Sequence, residues 1–288
     1  APLPAVEGAG DLQPPAAGAA AQGRAGGQAG HRRPRHGPLG DAVARGRGRG
    51  APGFLRAHWR RGALSGLGRG ALARPVPPRG DRFITLEGGE GTGKSTQARL
   101  LAEKLKARGF EAALTREPGG TPGAEAIRAL LVQGEANRWD AATEALLHFA
   151  ARRDHLSRVI WPALDAGQFV VSDRFADSTM AYQGYAMKLG RGAVDQLYAA
   201  VVGDFRPGLT LVLDLDAEQG LARAKSRAGG GDRYERLGLA FHRTLREAFL
   251  DIARRESDRC RVIDASAGVD EVAAALWSAV ARRYGLPA

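Results

Sequence analysis

The sequence predicts an α/β fold built on a five-stranded parallel sheet with helices on both faces. Three observations lead to this prediction. Along residues 81–288, short apolar segments alternate with longer helical ones, the order of strands and helices in a parallel sheet. The short segments are almost continuously apolar or β-branched, as strands buried on both faces are. A glycine-rich segment joins the first strand to the first helix, at the carboxyl edge where such sheets bind ligands.

The five predicted strands are short buried runs, several of which end in an acidic residue. They are 82–87, 111–115, 169–173, 209–214 and 261–264. The fourth run is apolar or β-branched throughout until Asp214. Because such runs have no polar face, they fit the interior of a covered sheet.

Helices are predicted in the intervals between these strands. They cover 95–108, 122–132, 141–164, 217–228, 239–256 and 269–284, with two more within 176–203. Gly109 ends the first helix, and Trp161-Pro162 marks the end of the third.

Residues 1–80 differ in composition from the rest of the chain. They hold 13 arginines, no lysine, 3 acidic residues, 18 of the 40 glycines and 10 of the 15 prolines. They therefore carry +10 of the net charge of +11, which leaves +1 for the other 208 residues. Their apolar positions follow no strand or helix period, so we expect a disordered extension before one domain at 81–288.

Three interpretations of this extension are open. In the first, the segment is inert, and its Ala/Gly/Arg/Pro bias is that of GC-rich sequence outside the native gene that has been translated. In the second, it is a targeting segment, although Ser65 is its only serine. In the third, it is an arginine–glycine arm for nucleic acid, suggested by residues 45–50, although Phe54 and Trp59 are its only aromatic residues.

The composition also limits the function classes. A single cysteine, Cys260, excludes an intrachain disulfide and favours the cytoplasm. No apolar run reaches the roughly 18 residues that a membrane span needs. Because the domain at 81–288 is nearly neutral, a duplex-binding domain is not expected, and neither is nucleic acid as a partner.

Residues 88–95 match the phosphate-loop pattern G-x-x-x-x-G-K-[ST] between a predicted strand and helix. The glycines let successive backbone N–H groups face phosphate oxygens, and the helix adds its positive N-terminus. Lys94 is expected at the β- and γ-phosphates, and the Ser95 hydroxyl at Mg²⁺. The predicted ATP phosphate site consists of Gly88, Gly89, Glu90, Gly91, Thr92, Gly93, Lys94, Ser95 and Thr96.

Three arginines near the same sheet edge suggest the acceptor. Arg116 and Arg174 follow predicted strands, and Arg152 lies on a helix expected to face them. Guanidinium groups in such a cluster suit the dianion of a nucleoside monophosphate. A GTPase would need an N-K-x-D guanine motif, which the sequence does not contain.

Four segments together closely resemble the bacterial thymidylate kinase (dTMP kinase) family. They are 87–91 (EGGEG), 115–121 (TREPGGT), 173–175 (DRF) and 181–184 (AYQG). The resemblance spans residues 82–284. It implies a P-loop nucleoside monophosphate kinase fold, transfer of the ATP γ-phosphoryl group to dTMP, Mg²⁺ as cofactor and a homodimer. Another nucleotide or nucleoside kinase is the nearest alternative.

The resemblance also implies roles for single residues. Glu90 accepts a hydrogen bond from the sugar 3′-hydroxyl, and Asp173 organises Mg²⁺ and the phosphates together with Ser95. The acceptor phosphate and base are held by Arg152 and Arg174.

The remaining implied contacts concern the base and the sugar. Thr179 and Gln183 read the thymine edge, and Tyr182 packs on the deoxyribose. Arg116, Glu117 and Pro118 form a tight loop at the acceptor, for which a cis Glu117–Pro118 bond is an option.

The sequence departs from the family pattern at the residue that stacks on the base. Four positions before Arg152, where the family has phenylalanine, this chain has His148, and Phe149 follows it. Either side chain is a candidate for stacking. Imidazole is smaller than a benzene ring and can be charged near neutral pH.

Residues 224–235 are predicted to form a mobile lid, because three consecutive glycines accompany basic residues. The phosphate loop contains no arginine, whereas family members place a catalytic arginine in that loop or in the lid. We therefore expect Arg223, Arg227 or Arg233 to act with Lys94, Asp173 and Arg174 in catalysis.

Overall fold

A computed structural model describes residues 80–226 and 233–287. Five parallel strands form one sheet in the order β2-β3-β1-β4-β5. The strands are β1 (Phe83–Glu87), β2 (Ala112–Arg116), β3 (Phe169–Asp173), β4 (Leu209–Asp214) and β5 (Cys260–Asp264). This order confirms the predicted fold class. The predicted extension lies outside the described residues, apart from Gly80.

Nine α-helices lie in the described part of the chain, together with two π-helical segments and one 3-10 turn. The α-helices are α1 (Lys94–Ala107), α2 (Pro122–Val132), α3 (Ala141–His155), α4 (Trp161–Asp165), α5 (Ala176–Thr179), α6 (Arg191–Val201), α7 (Ala217–Lys225), α8 (Leu239–Arg255) and α9 (Val269–Tyr284). The π-helical segments are Leu156–Ile160 and Met180–Ala186, and the 3-10 turn is Gly80–Arg82.

The predicted helix at 141–164 is present but is not uniformly α-helical. A π-helical turn, Leu156–Ile160, separates α3 from α4. Pro162 explains the break, because proline cannot donate to the carbonyl four residues earlier and its ring crowds that carbonyl. A wider turn before the proline carries the chain through without ending the helix.

Three strand boundaries differ from the prediction, and for β5 the difference is only that it begins at Cys260 rather than at 261. β1 begins at Phe83 rather than at 82, because Arg82 belongs to the preceding 3-10 turn. β2 covers 112–116 rather than 111–115, so Arg116 ends the strand and pairs in register with Asp173 on β3. The shift places two predicted site residues side by side at the carboxyl edge.

Apolar clusters lie on both faces of the sheet, as the continuous apolar strands require. Leu101 and Leu105 of α1 and Leu276 and Val280 of α9 belong to the cluster on one face. The other cluster contains buried residues of α3, α6 and α8 and of the second π-helical segment. The sheet is therefore held rigidly from both sides, and its carboxyl edge provides a fixed platform.

Candidate active site

A cavity of about 370 Å³ opens at the carboxyl ends of β1, β2 and β3. Most of the predicted site residues line it. They are Glu90, Gly91, Gly93, Lys94, Ser95, Thr96, Arg116, Glu117, Pro118, His148, Arg152, Asp173, Arg174, Thr179, Tyr182, Gln183 and Arg223. The fold thus brings to one site residues that are up to about 130 positions apart in the sequence.

The phosphate loop begins directly after β1 and is held in shape by its own side chains. Gly91 and Gly93 have φ of 70° and 87°, a region that glycine enters without strain. The Lys94 ammonium donates to the Gly89 carbonyl at 2.5 Å and to the Thr92 hydroxyl at 3.2 Å. Gly89 and Thr92 therefore shape the loop and hold Lys94, whereas Glu90, Gly91 and residues 93–96 line the cavity.

Lys94 has an unusual charge balance. Burial and the neighbouring Arg174 guanidinium lower the pKa of its ammonium to about 8, against the opposing pull of Glu90 and Asp173. It remains mainly protonated at neutral pH and has little competing solvation. Such a group is prepared to bind phosphate oxygens.

Ser95 and Asp173 meet at the mouth of the loop. The Ser95 hydroxyl donates to Asp173 Oδ2. Asp173 Oδ1 is buried and has no hydrogen-bond partner within residues 80–226 and 233–287. A hydroxyl beside a carboxylate oxygen that lacks a partner is a donor set that suits a hard divalent cation such as Mg²⁺.

Arg174 joins β3 to the phosphate loop. Its guanidinium donates to the Gly88 carbonyl at 3.0 Å, to Glu90 Oε1 at 2.9 Å and to the Tyr182 hydroxyl at 3.1 Å. Its backbone adopts a φ of 72°, a conformation that is uncommon outside glycine. The structure thus keeps a strained residue at the site, as functional positions often do.

Glu90 is an ionised carboxylate within this cluster. Burial favours its neutral form, but Arg174, Lys94 and the Tyr182 hydroxyl together lower its pKa to about 2. The Tyr182 hydroxyl donates to Glu90 Oε1 at 2.5 Å. The carboxylate is therefore an acceptor at any physiological pH.

Arg152 is buried and held by a carboxylate behind it. Its Nε donates to Glu117 Oε2 at 2.8 Å, and the other Glu117 oxygen contacts His155 Nδ1 at 3.1 Å. Its Nη2 donates to Thr179 Oγ1 at 3.1 Å. Arg152 Nη1 is buried without a hydrogen-bond partner in the described part of the chain, so one N–H group of this cavity-lining arginine is available.

Glu117 thus holds Arg152 with its carboxylate rather than presenting that carboxylate to a ligand. The Glu117–Pro118 bond is cis, which confirms the sequence-based option. Arg116, beside it, is half-exposed and forms a two-pronged ion pair with Glu125 at 3.1 and 3.2 Å. An exposed arginine of this kind can exchange its partner for an anion at low cost.

His148 and Phe149, the two candidates for stacking on the base, differ in whether they face the cavity. Phe149 is 1% exposed, lies under the Arg152 guanidinium at 4.8 Å and belongs to the core, which corrects its assignment as a ligand-contacting residue. His148 lines the cavity and contacts the Tyr234 hydroxyl at 3.3 Å. Burial, then Arg152 and Arg174, lower the pKa of His148 to about 3, so this ring is neutral.

The three candidate catalytic arginines differ sharply. Arg233 is 1% exposed and donates to the carbonyls of Leu131 at 2.7 Å and Ala136 at 2.9 Å, and to the Glu144 carboxylate. Its guanidinium is thus committed to the protein interior, which corrects its assignment as a catalytic residue. Arg227 lies outside the described residues.

Arg223, on α7, lines the cavity and donates to the backbone carbonyls of Ala265 at 2.9 Å and Ser266 at 3.1 Å. Both acceptors are neutral carbonyl oxygens, so neither bond neutralises the charge of the guanidinium. Of the two described candidates, Arg223 is the one placed to meet a ligand.

Several residues in and around the site were not predicted as site residues, among them Arg128, Tyr234 and Glu144. Arg128 lines the cavity and donates to the Pro118 carbonyl at 2.9 Å. Its spacing of seven from Thr121 places it on the same helical face as that motif residue, a signal that could have identified it. Tyr234 also lines the cavity, and Glu144 lies behind it, fully buried. No local sequence signal distinguishes Glu144 from a solvated glutamate in a first helical turn.

The arrangement can bind a polyphosphate at the loop and a second anion at Arg174 and Arg116, with a divalent cation between them. At the far end it offers a donor from Arg152 and an acceptor from Gln183. Chemically it suits transfer of a phosphoryl group between two ligands held in line.

Comparison with known proteins agrees with this chemistry. A sequence model of the family described as thymidylate kinase matches residues 86–276. The thymidylate kinase of Caulobacter vibrioides is 57% identical over 204 residues, which cover 71% of this chain and 98% of that protein. That of Ruegeria pomeroyi is 54% identical over 192 residues, covering 67% and 90%.

Solved structures show the same likeness. The chain is similar to the crystal structure of thymidylate kinase from Ehrlichia chaffeensis, with a TM-score of 0.57 and 33% identity. The match covers 69% of this chain and 97% of that one.

Proposed function

Because the chain belongs to the thymidylate kinase family, we propose that the cavity at the carboxyl ends of β1, β2 and β3 is where its reaction takes place. The enzyme transfers the γ-phosphoryl group of ATP to dTMP, giving dTDP and ADP. The observation that carries the assignment of the site is one cavity with a phosphate loop at one end and a buried donor and acceptor at the other.

The phosphate loop takes the donor. Its backbone N–H groups and Lys94 face the ATP phosphates, and Ser95 with Asp173 would hold Mg²⁺. Mg²⁺ supplies neutralising charge to the phosphate oxygens when it is bound. No covalent enzyme intermediate is required, since positioning and charge neutralisation account for phosphoryl transfer.

The cluster of Glu90, Arg174 and Tyr182 takes the acceptor's sugar and phosphate. Glu90 is ionised and accepts a hydrogen bond from the sugar 3′-hydroxyl, while Tyr182 packs against the deoxyribose. Arg174 and the half-exposed Arg116 neutralise the monophosphate dianion. The phosphate is thereby aimed at the donor, because Arg174 also contacts the loop carbonyl of Gly88.

The inner end of the cavity takes the base. Arg152 Nη1 donates to the ring carbonyl, and Gln183 with Thr179 completes the edge contacts. His148 stacks as a neutral ring, since a pKa of about 3 keeps it uncharged. A neutral ring avoids placing another positive charge beside Arg152 and Arg174.

Charge on the transferred group is neutralised from α7 and the lid. Arg223 already lines the cavity, and Arg227 follows it in the predicted lid. We assign the catalytic arginine to this pair, because Arg233 is fully engaged elsewhere.

At the level of the whole chain, we propose that residues 81–288 form the kinase domain, which the family match at 86–276 supports. A homodimer is proposed on family resemblance and on exposed Leu130 and Leu146 of α2 and α3. No helix in the described part of the chain is long and apolar enough to cross a membrane. A cytoplasmic location is proposed from the single cysteine.

An acceptor panel tests the proposed function. The full chain is incubated with ATP, Mg²⁺ and, separately, dTMP, dUMP, dCMP, GMP and thymidine, and the ADP formed is measured. We expect the highest kcat/KM with dTMP. A preference for GMP or thymidine would reject the assignment and favour another nucleotide or nucleoside kinase. Lys94→Ala is the matched control, expected to lose at least about a hundredfold in kcat while keeping the fold.

A further inference from the structure

Glu144 is a fully buried carboxylate outside the phosphate and sugar contacts. It lies on the first turn of α3, with no exposed surface. Its Oε2 accepts from Gln183 Nε2 at 2.8 Å and from the Tyr234 hydroxyl at 2.9 Å, and its Oε1 accepts from Arg233 Nη2. One carboxylate therefore connects α3, the second π-helical segment and the end of the predicted lid, at Arg233 and Tyr234.

Glu144 fixes which way the Gln183 amide points. An amide can present its oxygen or its NH₂ group in the same place after a half-turn, so glutamine alone does not select between a donor and an acceptor. A salt-bridged carboxylate only accepts hydrogen bonds. Since it is paired with Arg233, Glu144 requires the NH₂ group of Gln183 and would repel its oxygen.

The Gln183 oxygen is therefore directed away from Glu144. Gln183 has no exposed surface and lines the cavity, and across the described ranges its Oε1 has no hydrogen-bond partner. A buried acceptor without a partner is costly unless a ligand satisfies it. Arg152 Nη1, a buried donor, lines the same cavity and is equally without a partner there.

This acceptor and donor match one class of base. Thymine and uracil present an N–H donor at N3 beside a carbonyl acceptor at O4, whereas cytosine presents an acceptor at N3 beside an amino donor. We propose that Glu144 is a positioning residue that sets base specificity, by holding Gln183 Oε1 as an acceptor for the N3–H group of the acceptor nucleotide. The inference rests on the proposed function of the cavity.

Arg152 alone would leave this discrimination incomplete. A guanidinium rejects the cytosine amino group, but a freely turning Gln183 could still donate to cytosine N3 and recover part of the lost binding. By penalising the turned amide, Glu144 removes that compensation, which is specificity by exclusion of the wrong partner.

Glu144→Gln tests the inference, because it keeps the shape but allows residue 144 to donate as well as accept. The measured quantity is the ratio of kcat/KM for dTMP to kcat/KM for dCMP, with dCMP also measured as a competitive inhibitor of dTMP. We expect the ratio to fall about tenfold or more, since losing a hydrogen bond to a charged group is worth that factor. Melting temperatures establish that each variant is folded.

Two variants separate orientation of the amide from a merely structural role. Arg233→Lys keeps a positive charge beside Glu144 but gives up the forked contacts to Leu131 and Ala136, and should leave the ratio unchanged. Gln183→Met should lower the ratio by itself, and adding Glu144→Gln to it should lower the ratio no further. If Glu144→Gln does not fold, Glu144→Asp replaces it, because the shorter carboxylate withdraws from Gln183 while keeping its charge.

The outcomes are distinct. The inference is supported if Glu144→Gln lowers the ratio in the wild-type background and causes no further decrease in the Gln183→Met background. An equal loss of kcat/KM for dTMP and dCMP, or an undiminished effect without Gln183, overturns it and leaves the proposed function standing. A wild-type enzyme that does not phosphorylate dTMP would instead overturn the proposed function.

Discussion

Lys94 carries a charge that its own surroundings oppose. Burial and the adjacent Arg174 lower the pKa of the ammonium to about 8 from 10.5. The ammonium donates hydrogen bonds to the loop's own Gly89 carbonyl and Thr92 hydroxyl. The protein therefore holds a weakly solvated cation at the proposed site of the donor phosphates, which would strengthen its attraction to them.

The lowered pKa of Lys94 predicts a pH dependence. Above pH 8 the free enzyme loses the Lys94 charge, so kcat/KM for ATP should fall about tenfold per pH unit from about pH 8 upward. The measurement is a pH–rate profile at low ATP and saturating dTMP. Lys94→Arg is the matched control, since a guanidinium stays protonated and its residual activity should lack this fall. A wild-type profile flat to pH 10 would contradict the lowered pKa.

The phosphate loop and α7 pack backbone against backbone. A side chain at Gly91 would place its Cβ 1.9 Å from the Gly220 carbonyl oxygen, and one at Gly220 would place it 2.5 Å from the Glu90 carbonyl oxygen. Neither contact can be relieved by turning a side chain, because both involve backbone atoms. The loop position therefore depends on α7, the helix that carries Arg223 and leads into the predicted lid.

Gly220→Ala should displace the phosphate loop from α7. We expect a loss of about 1–3 kcal/mol in the free energy of unfolding and a clear rise in KM for ATP. Chemical denaturation and steady-state kinetics measure the two effects. Gly192→Ala, on α6, is the control, because the added methyl group has no atom of the described residues within 4 Å apart from its chain neighbours and its own helix backbone. Alanine there should raise stability by up to about 1 kcal/mol. Equal effects of the two substitutions would contradict a packing role for Gly220.

At the scale of the whole molecule, large apolar side chains remain exposed on two helices that pack together. Leu146 of α3 is 57% exposed and Leu130 of α2 is 40% exposed. Single exposed leucines are not unusual, but these two lie on adjacent helices, and we propose them as part of the interface of the proposed dimer.

Leu146→Glu should shift the proposed dimer towards monomer, because it would bury a charge at a twofold interface without a partner. Sedimentation velocity over a range of protein concentrations measures the change. Val269→Glu is the matched control, since Val269 is 55% exposed on α9, away from α2 and α3. A wild-type monomer, or an unchanged Leu146→Glu dimer, would reject this interface.

The sequence by itself determined the fold and the phosphate end of the site. Burial on both faces leaves an apolar run of five or six residues in the central strands β1, β3 and β4. The edge strands β2 and β5 were also identified from short runs, although the structure leaves them partly exposed. The loop at 88–95 was equally local, because glycines, Lys94 and Ser95 act through backbone geometry and near neighbours. Family resemblance predicted Arg152 and Gln183 as base-contacting residues, and both line the cavity.

The tertiary structure decided which charged and aromatic side chains line the cavity and which are buried in contacts within the protein. Arg233 and Glu144 are 89 positions apart, yet they form a buried ion pair. This pair binds Arg233, expected to be catalytic, to the protein interior. Phe149 entered the core while His148 lined the cavity. Burial and pairing of a side chain depend on residues distant in sequence, and no local pattern records that partner.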